Sequence, residues 1–250
     1  MNGEFSDPRL VAVFETINSY DAGTQPDFYS GLATEVGAHT IIDVGCGTGL
    51  ITRELARQGY RMIGIDPAPE MIDRARSSSD GEKVEWICGD VADVGTPGAD
   101  FAFMSGHVAQ FFLTDESWAA ALTALHSALR PGARLSFESR NPDAREWERW
   151  ARDPRVTVND PAAGSIETWS EFEHLTDGIV SYRNHYVFAA TGEEVVAPGR
   201  LRFRTRDELT QSLRETGFAV ERVYGDWDRR PADVATRELI VVAERLGVDI

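Results

Sequence analysis

Several features that mark particular protein classes are missing from this 250-residue sequence. No apolar run approaches the roughly 20 residues of a membrane-spanning helix, and no secretory signal is recognisable. Only two cysteines occur, Cys46 and Cys88, and neither belongs to a C-x-x-C pair or lies near a histidine cluster. We therefore expect no metal site, no membrane contact, and a cytoplasmic protein whose cysteines stay reduced.

Positive charge is also scarce. The chain has 25 lysines and arginines against 41 aspartates and glutamates, a net charge of −16. Such a surface repels a phosphate backbone, so a nucleic-acid partner is disfavoured and a small molecule is expected instead. The length fits one domain, or one domain with an insertion, and we expect a monomer or a homodimer.

The most informative stretch runs from position 41 to position 50, where two isoleucines lead into an acid and then into alternating glycines. Its chemistry lies in Asp43, Gly45, Gly47 and Gly49. This pattern predicts a buried parallel strand, a tight turn and a helix whose free N–H groups face a polar ligand. A dinucleotide turn would need a glycine where Leu50 stands, and no lysine is near to complete a phosphate loop. A glycine-rich turn without any ligand remains the alternative.

Two acids follow later strands. Asp66 ends the next predicted strand, about 20 residues past the glycines, where a nucleotide-binding unit places its ribose carboxylate. The third strand, 84–88, is followed by Gly89 and Asp90. On their own these acids could simply cap a loop or occupy a turn.

Together, the glycine pattern and the acid at the end of the next strand resemble the first motifs of the class I methyltransferases, which bind S-adenosylmethionine. The resemblance is strong over 40–140 and weaker over 205–245. It implies an α/β fold, a doubly wound seven-stranded Rossmann-like sheet with a small antiparallel β insertion. It also implies S-adenosylmethionine as cofactor, bound by Asp43, Gly45, Cys46, Gly47, Gly49, Asp66, Pro67, Met71, Gly89, Asp90, Val91, Ser105 and Gly106. The resemblance places Met71 and Asp90 at the adenine; a core role for Met71 is as plausible.

The loop after the fourth strand should face the reaction centre, because ligands bind at the carboxyl ends of such strands. It contains His107, our candidate general base, since imidazole titrates near neutrality. The alternative is that only the backbone of His107 lines the site. The loop lacks the Asn/Asp-Pro-Pro-Tyr/Phe motif and a Pro-Cys nucleophile, which argues against methylation of DNA or glutamine amino groups and of cytosine carbon.

Three regions follow from these patterns: a helical cap over 1–37, a core over 38–143 and 205–250, and an antiparallel lid of three strands over 144–204. Phe28 and Tyr29 are expected to pack a cap helix onto the sheet. Substrate contacts are predicted for four side chains in or near these covers: Tyr20, Arg140, Tyr182 and His185.

The predicted function is methyl transfer from S-adenosylmethionine to a nitrogen or oxygen atom of a small-molecule acceptor. Two alternatives stay open. One is a nicotinamide-dependent oxidoreductase, which the position of Leu50 disfavours. The other is a non-catalytic subunit that binds S-adenosylmethionine without turnover.

Overall fold

Two separate β-sheets form the framework of the computed structural model, which describes residues 3–18, 24–150 and 154–247. The strands are β1 (Thr40–Val44), β2 (Arg61–Asp66), β3 (Val84–Cys88), β4 (Ala99–Met104), β5 (Leu129–Arg140), β6 (Val156–Asp160), β7 (Gly164–Thr176), β8 (Ile179–Phe188), β9 (Glu193–Arg202), β10 (Phe218–Tyr224) and β11 (Glu238–Arg245). The helices are α1 (Pro8–Ile17), α2 (Thr24–Glu35), α3 (Leu50–Arg57), α4 (Pro69–Ser77), α5 (Asp115–Ala128), α6 (Trp147–Trp150) and α7 (Arg206–Glu215).

The first sheet has seven strands in the order β10-β11-β5-β4-β1-β2-β3. Strands β1 to β5 run parallel, whereas β11 pairs antiparallel with both β5 and β10. The strand order reverses between β1 and β4, so a crevice opens at their carboxyl ends. The predicted doubly wound, seven-stranded fold with an antiparallel β insertion is therefore confirmed.

Helices cover both faces of this sheet because its central strands are apolar on both sides. Trp118 and Leu122 of α5 pack on one face. Phe28 and Tyr29 of α2 pack on the other, where the Tyr29 ring stacks on Phe103 with centroids 4.4 Å apart. Both α2 aromatics thus anchor the helix to the sheet, as predicted. None of the described helices is long and apolar enough to cross a membrane.

The boundary between α5 and β5 differs from the prediction. The sequence indicated that Pro131 and Gly132 would end the helix and that the strand would begin at Ala133. The helix instead ends at Ala128, and Leu129 already pairs with Ala99 of β4. Burial of Leu129 beside the neighbouring strand outweighs the local breaker signal.

The second sheet contains four antiparallel strands in the order β6-β7-β8-β9. The prediction of three strands missed β6, because its mostly exposed residues give little hydrophobic pattern. Apolar residues of β7, β8 and β9 pack against Leu10 and Val13 of α1. The amino-terminal helix and the second sheet are therefore in direct contact.

Candidate active site

The turn after β1 depends on glycine for two different reasons. Gly45, Gly47 and Gly49 all have positive φ, at 70°, 55° and 77°. A Cβ on Gly45 would lie 2.4 Å from Val108, and one on Gly49 would lie 2.2 Å from the Trp86 ring. A Cβ on Gly47 would meet only the Phe14 ring, at an ordinary contact distance of 3.8 Å. Gly45 and Gly49 therefore make room for neighbouring side chains of this protein, whereas Gly47 leaves room for a ligand.

A small cavity of about 70 Å³, here called the glycine-loop cavity, lies above this turn. Asp43 lines it and is 1% exposed; its Oδ2 accepts a hydrogen bond from Thr52 Oγ1 at 2.5 Å. None of the described residues forms a hydrogen bond with its Oδ1. Burial raises the pKa of Asp43 to about 7. A buried carboxylate oxygen without a donor is the kind of group that a cationic ligand would satisfy.

Cys46, Ser105 and Gly106 also line the glycine-loop cavity. Burial raises the pKa of the Cys46 thiol well above its usual range, so this cysteine stays neutral and contributes packing rather than charge.

Asp66 connects the carboxyl end of β2 to the glycine turn. Its Oδ2 accepts from the Gly47 N–H at 3.0 Å, and its Oδ1 accepts from the Ala68 N–H at 2.8 Å. Burial raises the pKa of Asp66. Each carboxylate oxygen keeps a lone pair, so the group can still accept hydrogen bonds from a diol.

A larger cavity of about 600 Å³, here called the large cavity, extends from this point past β3. Pro67, Gly89, Asp90 and Val91 form one wall, and residues 198–200 of the second sheet form part of the other. The Asp90 carboxylate also accepts from the Ala92 N–H at 3.0 Å and caps a short 3₁₀ helix. Both roles considered for Asp90, capping and ligand contact, are compatible with this position.

Met71 lies in the core. The side chain is fully buried and packs with Val11 of α1 and with Ala68. It lines none of the three cavities described here. This position favours the core role that the sequence left open, and the adenine contact stays a prediction.

The loop after β4 carries His107 in a left-handed conformation, with φ at 62°. Its Nε2 lies 3.0 Å from Glu238 Oε2, and its backbone N–H donates to Glu138 Oε1 at 3.1 Å. Glu138 is fully buried, also accepts from Tyr29 Oη at 2.5 Å, and has a pKa raised by burial. A neutral His107 that donates from Nε2 to Glu238 has its lone pair on Nδ1.

A third cavity of about 210 Å³ lies beside His107 and is here called the polar cavity. Polar groups from six parts of the chain converge on it, and aromatic rings lie between them. Its lining comprises Glu4, Phe5, Phe14, Asn18, Gly106, His107, Phe111, Arg140, Trp150, Ser170, Tyr182, Asn184 and Leu201.

Glu4 is the charged residue of this cavity that sequence reasoning missed. Its side chain is 9% exposed, although it sits in a three-residue 3₁₀ helix at the amino terminus. Oε1 accepts from Tyr186 Oη at 2.5 Å, and Oε2 accepts from Asn184 Nδ2 at 3.2 Å. Burial raises the pKa of Glu4. No local pattern marks this acid, because its partners lie about 180 positions along the chain.

Of the four predicted substrate contacts, Arg140 and Tyr182 line the polar cavity. Tyr20 lies outside the described residues. His185 is a correction: it pairs with Glu171 and Glu194, and its ring stacks on Trp169.

The reason is the two-residue period of a strand. Tyr182 and Asn184 of β8 point into the polar cavity, and His185 therefore projects from the opposite face of the second sheet.

These features fit S-adenosylmethionine, the cofactor implied by the sequence. Asp43 offers an oxygen without a donor among the described residues for its ammonium group, Gly47 is the least crowded glycine of the turn, and Asp66 offers acceptors for a ribose diol. The large cavity offers apolar walls for a purine, with Val91 and Pro67 among them.

Comparison with known proteins gives an independent result. Residues 41–132 match a family model described as a methyltransferase domain. Over 230 residues the chain is 26% identical to the cypemycin N-terminal methyltransferase of a Streptomyces species, covering 86% of this chain and 89% of that protein.

Solved structures agree on the fold. The amino pentose methyltransferase CalS10 from Micromonospora echinaspora, solved with S-adenosylmethionine bound, superimposes with a TM-score of 0.72 at 22% identity, covering 94% of this chain and 95% of that chain. The sugar N-methyltransferase KedS8 from a Streptoalloteichus species gives 0.75 at 18% identity, covering 94% and 92%. With the glycine turn, Asp43 and Asp66 in the geometry described above, these matches show a methyltransferase domain over residues 41–132, in a chain with the fold of the class I S-adenosylmethionine-dependent methyltransferases.

Proposed function

We propose that this protein transfers the methyl group of S-adenosylmethionine to the nitrogen of a small-molecule amine, with the polar cavity as the acceptor site. One observation carries the proposal: the buried carboxylate of Glu4 lines this cavity and forms no ion pair with any described residue. A buried acid without a cationic partner is a costly arrangement that an ammonium group would compensate.

The position of the polar cavity in the fold supports this role. Most of the predicted cofactor residues lie at the carboxyl ends of β1, β2 and β3, whereas His107 follows β4 and Arg140 ends β5. The polar and glycine-loop cavities share Gly106. An acceptor in the polar cavity would thus meet the cofactor across this loop.

The relatives also favour nitrogen. The cypemycin enzyme is named for methylation of an N terminus, and KedS8 is described as a sugar N-methyltransferase. The first name places the acceptor at an N terminus, and the second places it at a nitrogen of a sugar. The match of residues 41–132 to a methyltransferase domain also argues against the nicotinamide oxidoreductase that the sequence left open.

The residues that would hold the cofactor are Asp43, Gly47, Asp66 and the walls of the large cavity. When bound, S-adenosylmethionine supplies an electrophilic methyl carbon on a sulfonium leaving group. The protein's part is alignment and exclusion of water, and positioning of this kind is worth about 7–11 kcal/mol in favourable cases.

An ammonium acceptor must lose a proton before its nitrogen lone pair can attack. Glu4 is placed to hold the ammonium and then to accept that proton, because its burial raises its pKa toward that of a useful base. Tyr186 and Asn184 fix the two carboxylate oxygens by donating to them. We assign them positioning roles.

The covering of the site is part of the same proposal. Glu4 precedes α1, within the predicted cap over 1–37, and Tyr182 lies in the predicted lid over 144–204. Both line the polar cavity, next to the loop of the 38–143 core. We propose that these two covers build the acceptor site, while the core binds the cofactor.

A hydroxyl acceptor is the second candidate, and the His107–Glu238 pair favours it. A hydroxyl needs a base, and a carboxylate on Nε2 would hold the imidazole in one tautomer with a basic Nδ1. In this version His107 takes the acceptor proton, as the sequence predicted.

A panel of matched acceptors distinguishes these proposals. Primary amines and the alcohols of identical carbon skeleton, including amino sugars and their hydroxyl counterparts, would be incubated with the purified protein and S-adenosylmethionine. Release of S-adenosylhomocysteine and the mass of the methylated product would be measured for each pair.

We expect turnover with amines and at least 100-fold lower kcat/KM with the paired alcohols. Preference for the alcohols would overturn the nitrogen assignment in favour of the His107 mechanism. Tight cofactor binding with no turnover across the panel would support the non-catalytic subunit instead.

A further inference from the structure

The polar cavity contains a second charged group without an ionic partner. Arg140, at the end of β5, is half-buried and forms no ion pair with any described residue. Its Nη1 donates to Gln110 Oε1 at 3.0 Å, and its guanidinium carbon lies 5.5 Å from the centre of the Trp150 ring. Both partners are neutral.

The nearest acids are already engaged elsewhere. Glu238 pairs with His107 Nε2, and Glu138 accepts from the hydroxyl of Tyr29 and the backbone of His107. They influence Arg140 only from a distance. The guanidinium therefore keeps most of its five N–H donors for something other than a protein carboxylate.

The orientation of Arg140 is fixed by a neighbour. Gln110 is fully buried, and its Nε2 donates to the backbone oxygen of Arg202 at 3.4 Å. That contact turns its Oε1 toward Arg140. A planar guanidinium held in this way offers its free edge for two parallel hydrogen bonds to a carboxylate.

Glu4 and Arg140 thus line the same cavity of about 210 Å³ with opposite charge, yet they do not pair with each other. Buried charges are normally neutralised by partners. A ligand with a cationic and an anionic group would neutralise both at once.

We propose that Arg140 is a specificity-determining residue that binds an anionic group of the acceptor, and that the acceptor is therefore an amine carrying a carboxylate. This rests on the proposed function in one respect, the placement of the amine at Glu4. We do not assign the cofactor as the partner of Arg140. The predicted cofactor residues Asp43 and Asp66 belong to β1 and β2, and neither lines the polar cavity.

The test uses two independent readouts on the intact protein. Turnover would be measured for amino acids and for their carboxamides, pairs that differ only in charge at one end. Binding would be measured by ligand-observed NMR for amine-free pairs, such as phenylacetate with phenylacetamide and propanoate with propanamide, in protein saturated with S-adenosylhomocysteine.

The variants would be Arg140→Gln, Arg140→Lys and the control Arg149→Gln, an exposed arginine paired with Glu146. We expect the wild type and the control to prefer carboxylates over carboxamides at least tenfold in both readouts. Arg140→Gln should reduce that ratio below twofold with S-adenosylhomocysteine affinity unchanged. Arg140→Lys should retain an intermediate ratio, which keeps the test valid if the glutamine variant unfolds.

The outcomes separate the two proposals. Carboxylate-selective binding that depends on Arg140, without turnover of any amine, would uphold this inference and defeat the proposed function. Amine turnover with no carboxylate preference, or with a preference that survives Arg140→Gln, would overturn the inference alone. Loss of S-adenosylhomocysteine binding in Arg140→Gln, with the preference unchanged, would reassign Arg140 to the cofactor and also overturn it.

Discussion

Replacing Asp66 with asparagine tests the cofactor site at one side-chain atom. The carboxylate accepts hydrogen bonds from Gly47 and Ala68 at 3.0 and 2.8 Å, and it has lone pairs left for a ribose diol. Asparagine has the same shape and keeps one acceptor oxygen, but it loses the charge and presents an NH₂ group at the other position.

At least one hydrogen bond between the ribose and a charged group is therefore lost. Such bonds contribute about 1.5–3 kcal/mol. At about 1.4 kcal/mol for each factor of ten, S-adenosylmethionine should bind roughly one to two orders of magnitude more weakly. Asp66→Ala removes both acceptor oxygens and should weaken binding further.

Isothermal titration calorimetry with S-adenosylmethionine measures this directly. Asp73→Asn is the matched control, because Asp73 is an exposed acid on α4 that pairs loosely with Arg76 at 3.6 Å. Thermal unfolding of each variant would show that the fold is kept. A folded Asp66→Asn protein whose dissociation constant stays within twofold of the wild type would refute the ribose assignment.

Three further predictions concern the turn and the loops beside it. Burial raises the pKa of Asp43 from 3.8 to about 7. The protonated side chain therefore makes its full contribution to the free energy of unfolding below about pH 4, and this contribution is lost as the pH rises through about 7. A cationic cofactor favours the ionised form of Asp43. The increase in melting temperature on adding S-adenosylmethionine should therefore grow from pH 5.5 to 8, and it should grow far less in Asp43→Asn. Equal growth in both proteins would contradict a pairing of Asp43 with the cofactor. Gly49→Ala forces a Cβ within 2.2 Å of Trp86 and should lower the melting temperature by several degrees more than Gly59→Ala, which has positive φ but open space; equal losses would show that packing is not the cause. His107→Asn should reduce kcat/KM for amines less than tenfold if Glu4 takes the proton, whereas a base role would cost about 10²–10⁴-fold.

The cofactor half of the site was predictable because its signal is local. Two buried isoleucines, an acid and three glycines within ten residues are compatible with few local structures. Asp66 then follows at a distance that one helix and one strand determine, so parallel pairing brings it beside the turn. The seven-stranded sheet followed from the same alternation of strands and helices.

Met71 shows a limit of local reasoning. Its place at the start of α4 is compatible with a ligand contact, but Val11 of α1 packs on it. A helix from the amino terminus lies there, and no pattern within α4 indicates that neighbour. His185 differs for another reason. Its strand was predicted correctly, but its side chain projects from the face opposite Tyr182 and Asn184.

The acceptor half of the site depends on contacts between distant parts of the chain. Glu4 meets Tyr186 and Asn184 only because α1 packs on the second sheet. Arg140 forms no ion pair within the described part of the chain because the nearby acids Glu238 and Glu138 are occupied. Neither condition can be read from residue types and spacings, since each depends on which side chains happen to meet.

The central claim is that Glu4 holds and deprotonates an amine acceptor. The most direct test compares steady-state kinetics of the wild type and Glu4→Gln on the best amine of the panel, with S-adenosylmethionine affinity measured in parallel. Glutamine keeps the acceptor oxygen for one of the two protein donors and removes the charge. We predict a loss of at least 100-fold in kcat/KM with cofactor affinity unchanged, and no comparable loss in Glu193→Gln, an exposed acid paired with Arg9. A Glu4→Gln protein that methylates the amine at the wild-type rate would contradict the account.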